Sequence, residues 1–157
     1  MRDLDEIEIN EGGDPVARQP PTDDQVRDFQ SHFQVELPEE YLILLCHSNG
    51  GHPKLDSFRP KGLTEEHSWG LNRFYHLSDD KTDIDSLWRT TAAWRMAVGQ
   101  NVVPVANDSG GNQIMLDYRS CPPSVTICIH DDGYRMVDVA DSFGEFIEML
   151  CEDPEMI

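Results

Sequence analysis

Four runs rich in β-branched and apolar residues follow one another in the second half of this chain: Val102–Ala106, Ile114–Tyr118, Val125–Ile129 and Tyr134–Val139. Each gap between them is filled with turn chemistry, first Asn107-Asp108-Ser109-Gly110-Gly111-Asn112, then Pro122-Pro123, then Asp131-Asp132-Gly133. Runs this short and closely spaced satisfy their backbone groups by pairing with their sequence neighbours, which predicts consecutive antiparallel strands of one meander. Asp141-Ser142 then caps a last helix. Its Phe143, Phe146, Ile147 and Leu150 recur three and four apart, the spacing that lays an apolar stripe on a sheet face.

The first half is helical in pattern. Thr22 followed by Asp23-Asp24-Gln25 has the capping-box arrangement, and Val26, Phe29 and Phe33 supply one apolar stripe. Leu37-Pro38 opens a second helix, with Glu39-Glu40 against the positive end of its dipole. Tyr41, Leu42, Leu44, Leu45 and Cys46 make it largely buried, and Asn49-Gly50-Gly51 is expected to stop it with glycine in a left-handed C-terminal cap. Between His52 and Ser68 only one short strand near Leu55–Phe58 is expected, whereas Trp69–Leu77 suits a strand. Asp83-Ile84-Asp85-Ser86 starts a third helix, ended by Val98-Gly99, in which Ile84, Leu87, Trp88, Ala92 and Met96 can share a face. Residues 1–20 read as an acidic, mobile lead-in in which Ile7 and Ile9 are too few to favour an edge strand. Residues 21–157 read as a single domain. The expected fold is α+β: two N-terminal helices, a mainly antiparallel sheet of about four to six strands with an inserted helix, and a C-terminal helix packed on the sheet.

The formal charge of -18 comes from 30 acidic against 12 basic residues. A field of that sign repels phosphate backbones and anionic head groups, which argues against direct nucleic-acid or membrane binding, and it speeds encounter with a basic partner. No stretch approaches the roughly 20 apolar residues that cross a bilayer. Met1-Arg2-Asp3-Leu4-Asp5-Glu6 puts acids where a secretory leader needs a cationic start. Cys46, Cys121, Cys128 and Cys151 form neither a C-x-x-C pair nor a dense disulfide framework, so the expected compartment is a reducing cytoplasm.

No catalytic, cofactor-binding or metal site is legible. Asn107-Asp108-Ser109-Gly110-Gly111 is reminiscent of the G-D-S-G-G loop of chymotrypsin-like proteases. Yet Asn107 and Asn112 stand where that motif has glycine and proline, and no upstream histidine sits in a context suited to the base. The segment reads as a glycine-rich turn. Cys46, His47 and His52 straddle a helix stop without a paired ligand, and His130-Asp131-Asp132 directly before Gly133 reads as a hairpin turn. The carboxylates placed in loops or helix entries, where a partner's lysine or arginine can reach them, are Glu65, Glu66, Asp79, Asp80, Asp83, Asp85, Asp131 and Asp132. These are the candidate partner-binding residues.

Three segments in order resemble the SUKH superfamily, which includes bacterial immunity proteins related to the yeast cell-wall-synthesis regulators. They are Leu37-Pro38-x-x-Tyr41 leading to Asn49-Gly50-Gly51; Val103-Pro104-Val105-Ala106 with Asp108 and Gly110-Gly111-Asn112 turning into Leu116-Asp117; and Val139-Ala140-x-Ser142-Phe143-x-Glu145-Phe146. The likeness spans Pro21 to Asp153. It implies an α+β fold, no enzymatic activity, and in bacteria the role of antidote to secreted or contact-delivered toxins, many of them nucleases. Taken with the charge, the expectation is a cytoplasmic immunity protein that binds and occludes a basic protein toxin, with a nuclease the fitting class. The alternative is an intracellular regulatory or scaffold module without a toxin, as the yeast relatives suggest. Oligomeric state is left open.

Overall fold

The computed structural model describes residues 1–63 and 68–152. A 3-10 turn at Leu4–Ile7 leads into β1 (Ile9–Glu11) and β2 (Asp14–Pro15), then α1 (Asp23–Phe33) and α2 (Glu39–His47). Four two-residue strands follow: β3 (His52–Pro53), β4 (Ser57–Phe58), β5 (Trp69–Gly70) and β6 (Arg73–Phe74). Next come α3 (Leu87–Val98), β7 (Val102–Asn107), β8 (Gln113–Asp117), β9 (Ser124–Ile129), β10 (Arg135–Ala140) and α4 (Phe143–Met149). The arrangement is α+β, as the pattern of turn signals and helix stripes requires. Among the described residues no helix is long and apolar enough to cross a membrane.

The meander forms as its spacing demands: β7, β8, β9 and β10 pair in sequence order, all antiparallel, and β6 adds a fifth strand beside β7. One face carries Val103, Val105, Ile114, Leu116, Val125, Ile127, Val137 and Val139 into the main core, with Phe29 of α1, Tyr41, Leu44 and Leu45 of α2, and Phe143, Phe146 and Ile147 of α4. The other face is also closed over its centre: α3 packs along β7, and Trp94 and Val98 cover a smaller cluster of Val102, Met115 and Cys128. Burial on both faces is why these strands read as nearly continuous apolar runs.

Both edges of this sheet receive backbone contacts from other segments. On the β6 side, Gly51 and Phe74 exchange backbone hydrogen bonds of 3.2 and 2.8 Å, which carries the sheet into a small one of order β2-β1-β3. On the β10 side, the backbone N–H groups of Lys61 and Gly62 donate to the carbonyls of Val139 and Asp138 at 3.3 and 2.8 Å. The remaining pair, β4 and β5, is antiparallel, and Ser57 also bridges to Cys151.

Four local expectations are corrected. The first twenty residues are not set apart from the core: Ile7 is fully buried, Leu4 nearly so, and β1 pairs with β3. Arg2 donates from Nη1 to the Leu150 carbonyl at 2.7 Å, at the C-terminal end of α4. A single 3-10 turn is enough to aim two apolar side chains three apart inward, a signal too short for any periodicity window. The glycines after α2 do not cap it. Ser48 is the C-cap in extended conformation, and the positive φ of Gly50 and Gly51 belongs to the turn entering β3. Cys46 is exposed, so α2 buries a narrower stripe. The residues of α3 expected to share a face are divided: Leu87 is buried and Trp88 half-buried against the core, while Met96 is 90 % exposed and Ile84, which precedes the helix, 70 % exposed; Thr90, Thr91 and Arg95 are buried instead.

Candidate protein interface

Strand register decides which loops meet. Arg73 pairs with Asn107, Asn107 with Gln113, and Gln113 with Cys128, so the start of β6, the turn 108–112 and the turn 130–134 share one end of the five-stranded sheet. Arg73 draws Glu11 and Asp85 to the same end, the first in a direct hydrogen-bonded ion pair and the second at 3.5 Å. Glu11, Asp85, Asp108, Asp131 and Asp132 thus line a rim on which carboxylates outnumber the guanidinium groups of Arg73 and Arg135.

The turns of that rim are rigid. Asp108 Oδ1 accepts from the backbone N–H groups of Gly110 at 2.9 Å and Asn112 at 2.8 Å, and Oδ2 accepts from the Asn112 side-chain amide at 2.8 Å. Asn112 Oδ1 in turn accepts from the His130 N–H at 3.1 Å, and the His130 ring bonds the Gly110 carbonyl at 2.6 Å, so the two turns are laced together. His130 is therefore a turn residue. Behind the rim, the Tyr75 hydroxyl donates to Gln113 Oε1 at 2.5 Å, and burial pushes its phenol up to about 12.

The sequence-derived acids separate into three groups. Asp131 is exposed and has neither a hydrogen-bond nor an ion-pair partner among the described residues, while its neighbour Asp132 pairs with Arg135 at 2.8 Å. Asp79, Asp80, Asp83 and Asp85 lie on one loop but are largely occupied within the protein. Asp79 accepts from Gln25 Nε2 at 2.9 Å. Asp80 Oδ1 accepts from the N–H groups of Thr82 and Asp83, both at 3.1 Å, and Asp85 faces Arg73. Asp83 Oδ2 lies 2.7 Å from Nε2 of His76, whose Nδ1 is 3.0 Å from Ser78 Oγ. These hydrogen bonds hold the carboxyls of Asp80 and Asp83 below the ordinary value, in Asp83 chiefly through His76 and in Asp80 chiefly through the loop N–H groups. Glu65 and Glu66 lie outside the described residues. Glu11 was missed because it sits in the segment set aside as a lead-in; the Ile7-x-Ile9 alternation was the available signal.

The Ser78–His76–Asp83 chain has the residue types of a nucleophile relay, but its geometry serves the loop. His76 is 2 % exposed, and Ser78 Oγ also accepts the Asp80 N–H at 3.3 Å. Among the described residues no group of three or more His, Cys, Asp or Glu side chains is arranged to hold a metal ion.

The SMI1 / KNR4 family (SUKH-1) matches residues 20–149, which takes in α1 through α4 and every turn of the rim. The chain belongs to this family. A curated relative, the SPbeta prophage-derived uncharacterized protein YokK of Bacillus subtilis (strain 168), is 24% identical over 171 aligned positions, covering 96% of this chain and 84% of the relative. The sequence marks of this SUKH-1 chain have concrete tasks: Asn49 braces Leu77, Gly51 admits the β1 backbone, Asp108 ties the 108–112 turn, and Ser142 accepts the Glu145 N–H at the start of α4.

Proposed function

We propose that this SUKH-1 protein is a non-enzymatic, cytoplasmic immunity protein that binds and occludes a basic protein toxin of the nuclease class. The observation that carries this reading is the acidic rim, a row of carboxylates of which Asp108, Asp131 and Asp132 sit on two mutually laced turns, in a chain of net charge -18. Membership of a family known for immunity proteins supports it, as does the prophage origin of the relative YokK. A nuclease presents a cationic groove to its substrate, and carboxylates on a fixed frame can occupy that groove in place of phosphates. Occlusion then needs complementary shape and field and no turnover. Asp131 and Asp132 are the leading contacts, because they are exposed at the tip of a hairpin and one of them is without an internal partner. Asp79, Asp80, Asp83 and Asp85 contribute to the field while their hydrogen bonds shape the loop that carries them.

The test is co-expression with the product of an adjacent toxin-like gene, followed by pull-down at two salt concentrations. Protection of the cells, with binding that weakens steeply as salt rises, is expected. Absence of both protection and binding refutes the proposal.

A further inference from the structure

Helix α3 turns a mixed polar and apolar face inward and leaves apolar side chains on its outer side. The side turned inward carries Thr90, Thr91 and Arg95 beside Leu87, Trp94 and Val98; Arg95 donates to the backbone carbonyls of Val102 and Phe33, both at 3.0 Å, while its Nη2 is buried without a partner among the described residues. The side turned outward carries Trp88, Ala92, Ala93 and Met96, of which Met96 is 90 % exposed. Between this side, the end of α1 and the loop at residues 81–82 lies a groove of about 500 Å³. Its floor is stiff: Trp88 meets Phe29, His32 and Phe33 with ring centroids 5.4, 5.2 and 5.4 Å away.

The lip of the groove is cationic. Lys81 Nζ stands 4.2 Å from the centroid of Trp88, and Arg89 Nη1 donates to the Thr82 carbonyl at 2.8 Å. Neither forms an ion pair among the described residues, as is also true of Arg18, Arg59 and Arg95, whereas Arg2, Arg27, Lys54, Lys61, Arg73, Arg119 and Arg135 all do. A lysine and an arginine without carboxylate partners, set together around a tryptophan and a methionine, have the composition of an interface centre.

We propose that this groove docks an acidic amphipathic segment of a partner protein, with apolar side chains entering against Trp88 and Met96 and carboxylates pairing with Lys81 and Arg89. The pairing acts at contact distance, while the field of more remote carboxylates is screened beyond about 8 Å at physiological salt. A second copy of this chain fits poorly. A two-fold interface on this groove would bring the Lys81 and Arg89 of both copies into one contact without acids of the groove to pair them, between two molecules that each carry -18. The proposal is separate from the acidic rim and stands or falls without it.

The test titrates the 15N-labelled full chain with two synthetic amphipathic helical peptides that share one leucine stripe, flanked in one by glutamate and in the other by lysine. The expected result is saturable shifts at Lys81, Trp88, Arg89 and Met96 with the glutamate peptide and binding about tenfold weaker with the lysine peptide. Lys81→Glu combined with Arg89→Glu inverts that preference. Met96→Lys removes binding of both peptides while leaving the thermal midpoint unchanged, since the site is exposed. Absence of groove shifts with the glutamate peptide, or equal response to both peptides, overturns the proposal. So does a concentration-dependent dimer of the free chain, seen by sedimentation and abolished by Met96→Lys, which would give the groove to a second copy.

Discussion

Asn49 holds Leu77 from both sides of one residue's backbone: its Oδ1 accepts the Leu77 N–H at 2.8 Å and its Nδ2 donates to the Leu77 carbonyl at 2.8 Å. The same amide donates to the Gln19 carbonyl at 2.8 Å, so one buried side chain stands in for a neighbouring strand and ties three segments together. Replacing Asn49 by alanine leaves the Leu77 N–H and carbonyl buried without partners. The expected cost is about 2–4 kcal/mol, read as a lowered midpoint in urea. Asn49→Asp keeps the acceptor and loses both donors, so it is expected to destabilise to a similar degree.

Gly51 gives a second stability test. Its φ is +115°, and a Cβ there would stand 2.9 Å from the Asn10 carbonyl oxygen, which belongs to β1. Gly51→Ala is therefore expected to cost about 2–4 kcal/mol and to loosen the contact between the small sheet and β6. Gly12 also has a positive φ, but an added Cβ there meets nothing within 4 Å. Gly12→Ala should cost only about 1 kcal/mol, and the difference between the two variants in thermal unfolding measures the close approach of the chains.

The 108–112 turn depends on one carboxylate. Asp108→Ala removes three accepted hydrogen bonds, two of them from backbone N–H groups, at an expected cost of about 1–3 kcal/mol. Amide exchange should accelerate at Gly110, Asn112 and His130, and the peptide-bond signals of β8 should keep their protection.

Acid should weaken the fold through the loop that carries Asp80 and Asp83. Both carboxyls are depressed below 3.8 in the folded state, Asp83 first by its hydrogen bond to His76 and Asp80 first by the Thr82 and Asp83 N–H groups. A depressed folded value means stability that is fully present above 3.8 and is lost as pH falls through the folded value. Urea midpoints measured downward from pH 5 should fall, and the fall should be shallower in Asp83→Asn and Asp80→Asn than in the parent chain.

Charge reversal separates field from architecture on the binding side. Asp131→Lys touches no internal hydrogen bond or ion pair among the described residues, so it should leave stability unchanged while slowing association with a basic toxin and flattening its salt dependence. Asp80→Lys should instead disorder the 80–83 turn and lower the unfolding midpoint. Stopped-flow association rates and urea curves on the same two proteins report both effects.

The meander and α4 were legible because their signals are local: alternation and turn residues set the strands, and the stripe from Phe143 to Leu150 sets the helix. The capping box at Thr22 and Gln25 formed for the same reason, with bonds of 3.1 and 2.9 Å. What the sequence could not reveal depends on partners far along the chain. Whether Ile7 is core is decided by segments that follow it in space, and which of the apolar residues of α3 join Leu87 inside is decided by how the helix seats on the sheet, where Arg95 reaches Val102 and Phe33. The same holds for the acids: nothing near Asp83 in sequence foretells His76 as its partner, so internal and available carboxylates look alike until the loops are placed.

The short segment at Lys61 and Gly62 bears on how the main sheet meets other chains. By donating to Val139 and Asp138 it covers the end of β10 at one flank of the five-stranded sheet, while the opposite flank leads to a two-residue strand containing Pro15, which has no N–H to offer. Among the described residues, these two features leave fewer backbone groups at the two flanks for another strand to pair with.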